Sequence, residues 1–213
     1  NIAEMRLYYF PPAGSQYHGK VITYPLGIGR EGWDTPLGRT TITRTAADPT
    51  WTPPESIREE HAEAGDPLPR VVPPGPDNPL GRHALYLGFP AYLLHGTNKP
   101  AGIGLRVSHG CIRLYPEDIA ALYSMIEPGT PVNIVNQPYK TGWHAGELYL
   151  EAHPPDADGK GRVDSYTPLV QSVINATRNR PDTPIDWELA ESTGTRQHGM
   201  PAAIGGTRLT ASD

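Results

Sequence analysis

Glycine and proline make up 48 of the 213 residues, with 23 glycines and 25 prolines. Glycine destabilises a helix interior by about 1 kcal/mol relative to alanine and proline by about 3 kcal/mol, so long helical bundles and coiled coils are excluded. Charged residues contribute only 19%, which argues against a fully disordered chain. The sequence therefore predicts one folded domain of about 150 residues, followed by a small module or tail.

Charge, hydropathy and cysteine usage exclude several classes of protein. The formal net charge of −5 argues against a general nucleic-acid binder, which needs a basic face. No apolar run reaches the roughly 20 residues of a membrane helix and no signal peptide precedes Asn1, so we expect a mature or trimmed chain without a membrane span. The single cysteine, Cys111, excludes an internal disulfide and zinc sites built on paired cysteines. Since the histidine spacing also matches no zinc motif, we expect no metal and no cofactor.

Alternating and β-branched segments predict a body made mainly of strands. Residues 2–10 and 21–24 flank a Pro-Pro-Ala-Gly turn and predict a hairpin. Further strands are predicted at residues 39–44, within the apolar stretch 84–94, and at residues 132–135. The predicted fold is therefore mainly β and sandwich-like.

One helix is predicted to cap this body, at residues 116–126, with proline in its first turn, acidic residues at its positive end and a Pro-Gly stop. The composition loosens after Pro138, so we divide the chain into a main domain, residues 1–137, and a C-terminal subdomain or tail, residues 138–213. Within the second part we predict a strand at residues 147–151, a helix at residues 169–178 and a disordered Gly/Ser/Thr-rich end.

A proline-rich insertion occupies residues 46–79 and contains nine prolines. The Thr52/Glu55 spacing is that of a capping box and predicts a short helix at residues 56–64. Long ordered loops in compact domains are often functional, so we expect a lid beside a cleft; the alternative is a plain surface insertion.

A stretch without carboxylates surrounds the cysteine. Residues 78–116 contain no Asp or Glu but hold four basic residues and three histidines: Arg82, Lys99, Arg106, Arg113, His83, His95 and His109. Nearby cations stabilise a thiolate, so we expect Cys111 to be a nucleophile with a lowered pKa. Gly110 allows a tight turn that aims consecutive N–H groups at one point, as an oxyanion hole requires. The alternative, a cysteine that only fills the core, stays open on the residue alone.

Two arginines bracket the cysteine in the sequence, Arg106 and Arg113. In an extended segment Arg113 shares the face of Cys111, whereas Arg106 needs a loop to reach it. The alternative for Arg113 is an exposed salt bridge to Glu117 or Asp118 at the start of the next helix.

This pattern resembles the L,D-transpeptidase (YkuD-like) catalytic domain family. The signature reads His95-Gly96, then Ser108-His109-Gly110-Cys111-Ile112-Arg113, with supporting turns at Thr35-Pro36-Leu37-Gly38 and Asn78-Pro79-Leu80-Gly81. The likeness covers residues 1–136 and is greatest to the Gram-negative branch, which attaches Braun lipoprotein to peptidoglycan or forms 3-3 cross-links. That branch usually carries a signal peptide and a LysM-like module upstream, and both are missing from this sequence.

The resemblance implies a periplasmic cysteine acyltransferase. Cys111 would attack the L-centre carbonyl of diaminopimelate in a tetrapeptide stem of peptidoglycan, expel D-Ala and hold a thioester until an amine resolves it. His95 matches the general base and Gly96 the residue whose carbonyl orients it, while His109 matches a second histidine that shapes the site.

Arg106 and the remaining signature residues are expected to bind the substrate. Arg106 and Arg113 would hold stem carboxylates, because a guanidinium matches carboxylate geometry. Ser108 would give hydrogen-bonding support, and Gly110 would help to bind the reacting carbonyl.

The acceptor and two other functions stay open. The acceptor amine would belong to a lipoprotein lysine or to a second diaminopimelate. With water as acceptor, the same thioester would make the protein an L,D-carboxypeptidase or a lipoprotein-releasing hydrolase. From a different class, the chain would be a non-catalytic wall-binding module, which the intact His95 and Cys111 argue against.

Overall fold

The structure, a computed structural model, describes residues 1–30, 32–154 and 166–206. The chain forms two compact units, Asn1–Val135 and Asn136–Asp213. This division lies two residues before the one that the sequence predicts. Each unit is described by itself.

The first unit is built mainly from short strands. Its strands are β1 (Arg6–Tyr9), β2 (Ile22–Pro25), β3 (Ile28–Gly29), β4 (Gly38–Ala47), β5 (His83–Leu87), β6 (Leu93–His95), β7 (Arg106–Ser108), β8 (Ile112–Arg113) and β9 (Pro131–Ile134). Five of them form a sheet in the order β8-β6-β5-β4-β9, while β1 and β2 form the predicted hairpin and β3 pairs with β7. The β8–β6 and β3–β7 pairings are parallel. The prediction of a mainly β fold is confirmed.

Helix α2 (Pro116–Tyr123) covers the apolar core of this unit. Its residues Ile119 and Leu122 are buried in a cluster that also contains Leu85, Leu94 and Ile112. The helix ends three residues before the predicted end at residue 126. There the Met125 N–H donates to the Leu122 carbonyl, and this bond of the 3₁₀ type tightens the last turn.

The proline-rich insertion lies between β4 and β5 and includes helix α1 (Glu55–Glu63). Its two ends are joined by a pair of backbone hydrogen bonds between Trp51 and Val72, of 2.9 and 2.8 Å. The predicted capping box is wrong: Pro54 is the N-cap residue, without a side-chain cap. Because consecutive prolines fill the turn, Thr52 lies two residues before the N-cap and Glu55 is already the first helical residue.

The second unit has its own sheet and core. Strands β10 (Tyr139–His144), β11 (Glu147–Ala152) and β12 (Ala202–Gly206) are antiparallel in the order β10-β11-β12, and helices α3 (Thr167–Thr177) and α4 (Trp187–Arg196) accompany them. The core contains Leu148, Leu150, Val173, Ala190 and Ile204. The strand predicted at residues 147–151 corresponds to β11, and the helix predicted at residues 169–178 corresponds to α3. All four ends lie within two residues of their predicted positions.

The predicted disordered end is wrong for residues 187–206, which form α4 and β12. Helix α4 is capped at both ends, because the Asp186 side chain accepts from the Leu189 N–H and Gln197 adopts the left-handed conformation. The last seven residues of that predicted end lie outside the described part of the chain.

In the described ranges, no helix is both long enough and apolar enough to span a membrane.

Candidate active site

The parallel pairing of β6 with β8 brings the two halves of the signature together. Leu94 lies opposite Ile112 and His95 opposite Arg113. Leu94 and Ile112 are buried in the core, and successive residues of a strand point to opposite faces. His95, Arg113 and Cys111 therefore share the other face, at the end of two neighbouring strands.

His95 is held as a neutral imidazole. It is only 3% exposed, its Nδ1 lies 2.6 Å from the Gly96 carbonyl oxygen, and it also hydrogen-bonds to the Leu80 backbone. Burial, with a smaller effect from the positive charge of Arg113, lowers the pKa of His95 to about 4. A proton on Nδ1, donated to Gly96, leaves Nε2 as the nitrogen that can accept a proton.

Close packing favours glycine next to this histidine. A Cβ added to Gly96 would lie 3.2 Å from Ile119 Cγ2 and 3.3 Å from the Leu80 carbonyl oxygen. The backbone of β6 and the core helix α2 can approach this closely because residue 96 has no side chain.

Cys111 is partly exposed, as access by a substrate requires. Its Sγ lies 3.6 Å from the Ala91 carbonyl oxygen, to which the thiol donates, and a hydrogen bond from the Leu93 backbone also reaches it. The predicted lowering of the Cys111 pKa is wrong: burial raises the pKa of the thiol, and the Leu93 hydrogen bond and the Arg113 charge offset this only in part. Sequence shows neighbouring cations but not the desolvation of the sulfur.

Two buried hydroxyl groups fix the loop that carries the thiol. Ser108 Oγ donates to the Cys111 carbonyl at 2.6 Å. Thr35 Oγ1 donates to the Gly110 carbonyl at 2.8 Å and accepts from the Gly29 N–H at 3.2 Å. Both carbonyls are thereby turned toward protein donors.

Gly110 gives this loop its shape. Its φ is +94°, and a Cβ there would lie 2.7 Å from Tyr92 Cε1, so both conformation and space require glycine. Within the described residues, the backbone N–H groups of Gly110 and Cys111 donate to no protein acceptor. An oxyanion hole needs donors of this kind, which no other acceptor occupies.

Among the residues that the structure describes, Arg113 has no counter-ion. Its Nε is buried and has no hydrogen-bond partner, and within the described residues no salt bridge joins it to Glu117 or Asp118. The positive charge of Arg113 acts on Cys111, where it favours the thiolate form and so opposes the raising of the pKa by burial. Arg106 lies on β7 instead, opposite Ile28 of β3, and is half-buried.

His109 belongs to a second cluster, which the sequence did not predict. Its Nε2 lies 3.0 Å from Glu60 Oε2 on helix α1 and 3.2 Å from Arg30 Nη2, and Arg30 and Glu60 form a salt bridge. The Trp33 ring meets the His109 ring edge-on, with centroids 4.8 Å apart. A carboxylate therefore does approach the loop that carries Cys111, from a residue 49 positions away that no local pattern identifies.

The structure thus gathers most of the predicted site residues around one loop: Cys111, His95, Gly96, Ser108, Gly110 and Arg113. His109 adjoins them but faces the insertion, and Arg106 is placed on a neighbouring strand. Thr35, Glu60, Arg30 and Trp33 are contacts that the site prediction lacked.

Residues 1–134 match the family model described as the YkuD L,D-transpeptidase catalytic domain. The chain is 43% identical over 210 residues to "Probable L,D-transpeptidase YbiS" of Escherichia coli K12, covering 96% of this chain and 66% of the relative. It is 41% identical to "Probable L,D-transpeptidase ErfK/SrfK" of the same organism, and this match covers 96% of this chain and 65% of the relative. The chain thus spans just under two thirds of the length of these relatives.

Among solved structures, an L,D-transpeptidase from Mycobacterium smegmatis is similar, with a TM-score of 0.43 and 22% identity over 55% of this chain and 50% of that one. From the match to the family model and the curated relatives, this chain belongs to the YkuD family of L,D-transpeptidase catalytic domains.

Proposed function

We propose that the protein is a peptidoglycan L,D-transpeptidase of the bacterial periplasm. Cys111 attacks the carbonyl at the L-centre of diaminopimelate in a tetrapeptide stem, and D-Ala leaves. The acyl group then passes from the thioester to an amine, of a lipoprotein lysine or a second diaminopimelate. The observation that carries this proposal is the shared face of Cys111, His95 and Arg113 at the paired ends of β6 and β8.

Proton transfer in this reaction falls to His95. As the Cys111 Sγ–C bond forms, the thiol proton moves to His95 Nε2, which then gives it to the leaving amine as the C–N bond breaks. In the second half, His95 takes a proton from the incoming amine and returns one to the sulfur. A neutral imidazole suits this role, because its Nε2 lone pair is available before the substrate arrives.

Stabilisation of the tetrahedral intermediate is assigned to the N–H groups of Gly110 and Cys111. Within the described residues they have no competing acceptor, and Thr35 and Ser108 hold the two adjoining carbonyls. Donors fixed in advance cost no reorganisation when the oxyanion forms.

Substrate binding is assigned first to Arg113. Its buried Nε has no hydrogen-bond partner among the described residues, and a stem carboxylate would supply both a negative charge and acceptor oxygens. Arg106 is the second candidate for this role, on the adjacent strand β7.

The proline-rich insertion is proposed to act as a lid over the thioester. Its helix α1 reaches the catalytic loop through Glu60, which contacts His109 two residues before the nucleophile. A covering segment here would limit the access of water to the acyl-enzyme.

Hydrolysis is the second candidate, because Cys111 is partly exposed. The experiment is mass spectrometry of products from a disaccharide-tetrapeptide, with and without an added lysine peptide. The transferase proposal expects a joined product. If the acceptor is a lysine, the donor is joined to the lysine peptide; if it is a second diaminopimelate, a 3-3 dimer of the donor forms with or without that peptide. If tripeptide were the sole product in both reactions, the protein would be a hydrolase. If no product formed and a carbapenem did not label the protein, the wall-binding module would be favoured.

A further inference from the structure

One nitrogen of His109 faces two partners with opposite requirements. Nε2 lies 3.0 Å from Glu60 Oε2 and 3.2 Å from Arg30 Nη2. A carboxylate can only accept a hydrogen bond and a guanidinium can only donate one. Since a ring nitrogen carries either a proton or a lone pair, only one of these contacts can be a hydrogen bond, and the tautomer of His109 decides which.

The surrounding charges favour the contact with Glu60. Arg30 already has an ion-pair partner in Glu60, so it gains little by also donating to the imidazole. An unprotonated Nε2 would set its lone pair against a carboxylate oxygen at 3.0 Å, which is repulsive. With the proton on Nε2, both the histidine and the arginine donate to Glu60.

The tautomer matters because the surroundings of His109 favour its uncharged form. Burial is the largest effect and holds the pKa of His109 below its usual value, and the charges of Arg30 and Arg113 act in the same direction. Glu60 opposes them through its hydrogen bond and its charge. Among the described residues, these are the charged groups that act on the ring, and Trp33 packs edge-on against it.

We propose that Glu60 is a positioning residue that fixes neutral His109 with its proton on Nε2 and so fastens helix α1 to the catalytic loop. Nδ1 is then left as a hydrogen-bond acceptor. The consequence for acyl transfer rests on the proposed function, whereas the tautomer assignment does not. Through this contact, a residue of the insertion orders the loop two residues before Cys111.

The tautomer is tested by long-range ¹H–¹⁵N NMR of the full chain labelled with ¹⁵N-histidine, with the His109 signals assigned by their loss in His109→Gln. The wild type is expected to show a protonated Nε2 and an unprotonated Nδ1. In Glu60→Ala, Arg30 becomes free to donate to Nε2, so the proton is expected to move to Nδ1. Glu60→Gln keeps an acceptor oxygen and is expected to retain the wild-type tautomer as the major form.

The matched control is Glu63→Ala, which removes the same charge from an exposed position on the same helix and is expected to leave the His109 signals unchanged. The same samples give a pH titration, in which Glu60→Ala lowers the pKa of His109 because a favourable hydrogen bond and charge are lost. A wild type with the proton on Nδ1, or a Glu60→Ala spectrum like that of the wild type in a folded protein, would overturn the proposal.

An activity measurement separates this proposal from the proposed function. Acylation of Cys111 by the tetrapeptide is expected to slow several-fold in Glu60→Ala and to recover largely in Glu60→Gln. Unchanged acylation in Glu60→Ala would overturn the positioning role, while the transpeptidase proposal would stand. A wild type that is never acylated would refute the proposed function without affecting the NMR result.

Discussion

Replacement of Asn78 by alanine is predicted to destabilise the first unit strongly. The side chain of Asn78 is fully buried. Its Nδ2 donates to the carbonyl oxygens of Pro49 at 2.8 Å and Pro73 at 3.1 Å, and its Oδ1 accepts from the Leu80 N–H at 2.9 Å. These bonds tie together both ends of the proline-rich insertion and hold Leu80, whose backbone hydrogen-bonds to His95.

The magnitude follows from the groups that alanine would leave without a partner. One buried N–H and two carbonyl oxygens lose their hydrogen bonds, and each buried group left unsatisfied costs about 1–3 kcal/mol. The carbonyls keep a second lone pair for water, so we expect a total loss of about 3–5 kcal/mol in the free energy of unfolding. The control is Asn98→Ala, an exposed asparagine that donates only to the Asp77 carbonyl at 3.1 Å, for which we expect less than about 1 kcal/mol.

Urea unfolding followed by tryptophan fluorescence measures both variants, because Trp51 lies within the insertion. Acylation of Cys111 by the tetrapeptide is measured on the same samples and is expected to slow in Asn78→Ala, since the Leu80 support of His95 is loosened. If Asn78→Ala and Asn98→Ala had the same free energy of unfolding, the proposal that Asn78 holds the two ends of the insertion together would be refuted.

Three further predictions concern the reaction. His95→Gln is expected to slow acylation by about 10²–10⁴-fold, because a general acid-base group is lost. His109→Gln is expected to lower the stability more than the acylation rate. If both variants lost acylation equally and kept the wild-type stability, these roles would be contradicted. Arg113→Ala is expected to raise the pKa of Cys111, because the nearby cation favours the thiolate. Alkylation of Cys111 by iodoacetamide should therefore shift to higher pH. If the pH profile of alkylation and the acylation rate both stayed unchanged, Arg113 would have only a structural role. Shortening of the insertion, residues 46–79, is expected to raise the ratio of hydrolysis to transfer, and an unchanged ratio would exclude a lid.

Local patterns predicted the parts of the fold that depend on nearby residues. The β1–β2 hairpin follows from a turn between two short strands, and helix α2 from its proline, its acidic first turn and its apolar face. Local patterns failed where several short-range signals compete. The Thr52/Glu55 spacing suggested a capping box, but the two intervening prolines place the start of α1 at Glu55.

The C-terminal part shows a second limit. Its final segment is rich in glycine, serine and threonine, which favours disorder locally. In the structure, burial of Ala190 and Ile204 in a separate core stabilises α4 and β12. That stabilisation comes from contacts with residues 139–152 and 167–177, which no local composition reveals.

The candidate site was predictable where its parts are adjacent in sequence, as in the residues around Cys111. The contacts that set its electrostatics were not. Glu60 reaches His109 only because the insertion folds back, and Thr35 reaches Gly110 across 75 residues. The direction of the Cys111 pKa shift was wrong because desolvation depends on the packing around the sulfur, not on the charges beside it in the chain.

The central claim, that Cys111 carries the acyl group, is tested most directly by the mass of the intact protein after brief exposure to a disaccharide-tetrapeptide. The wild type is expected to gain the mass of the donor less D-Ala, and peptide mapping should place this thioester on Cys111. Cys111→Ala should stay folded, gain no mass and form no product. An adduct on another residue, or product formation by folded Cys111→Ala, would contradict the account.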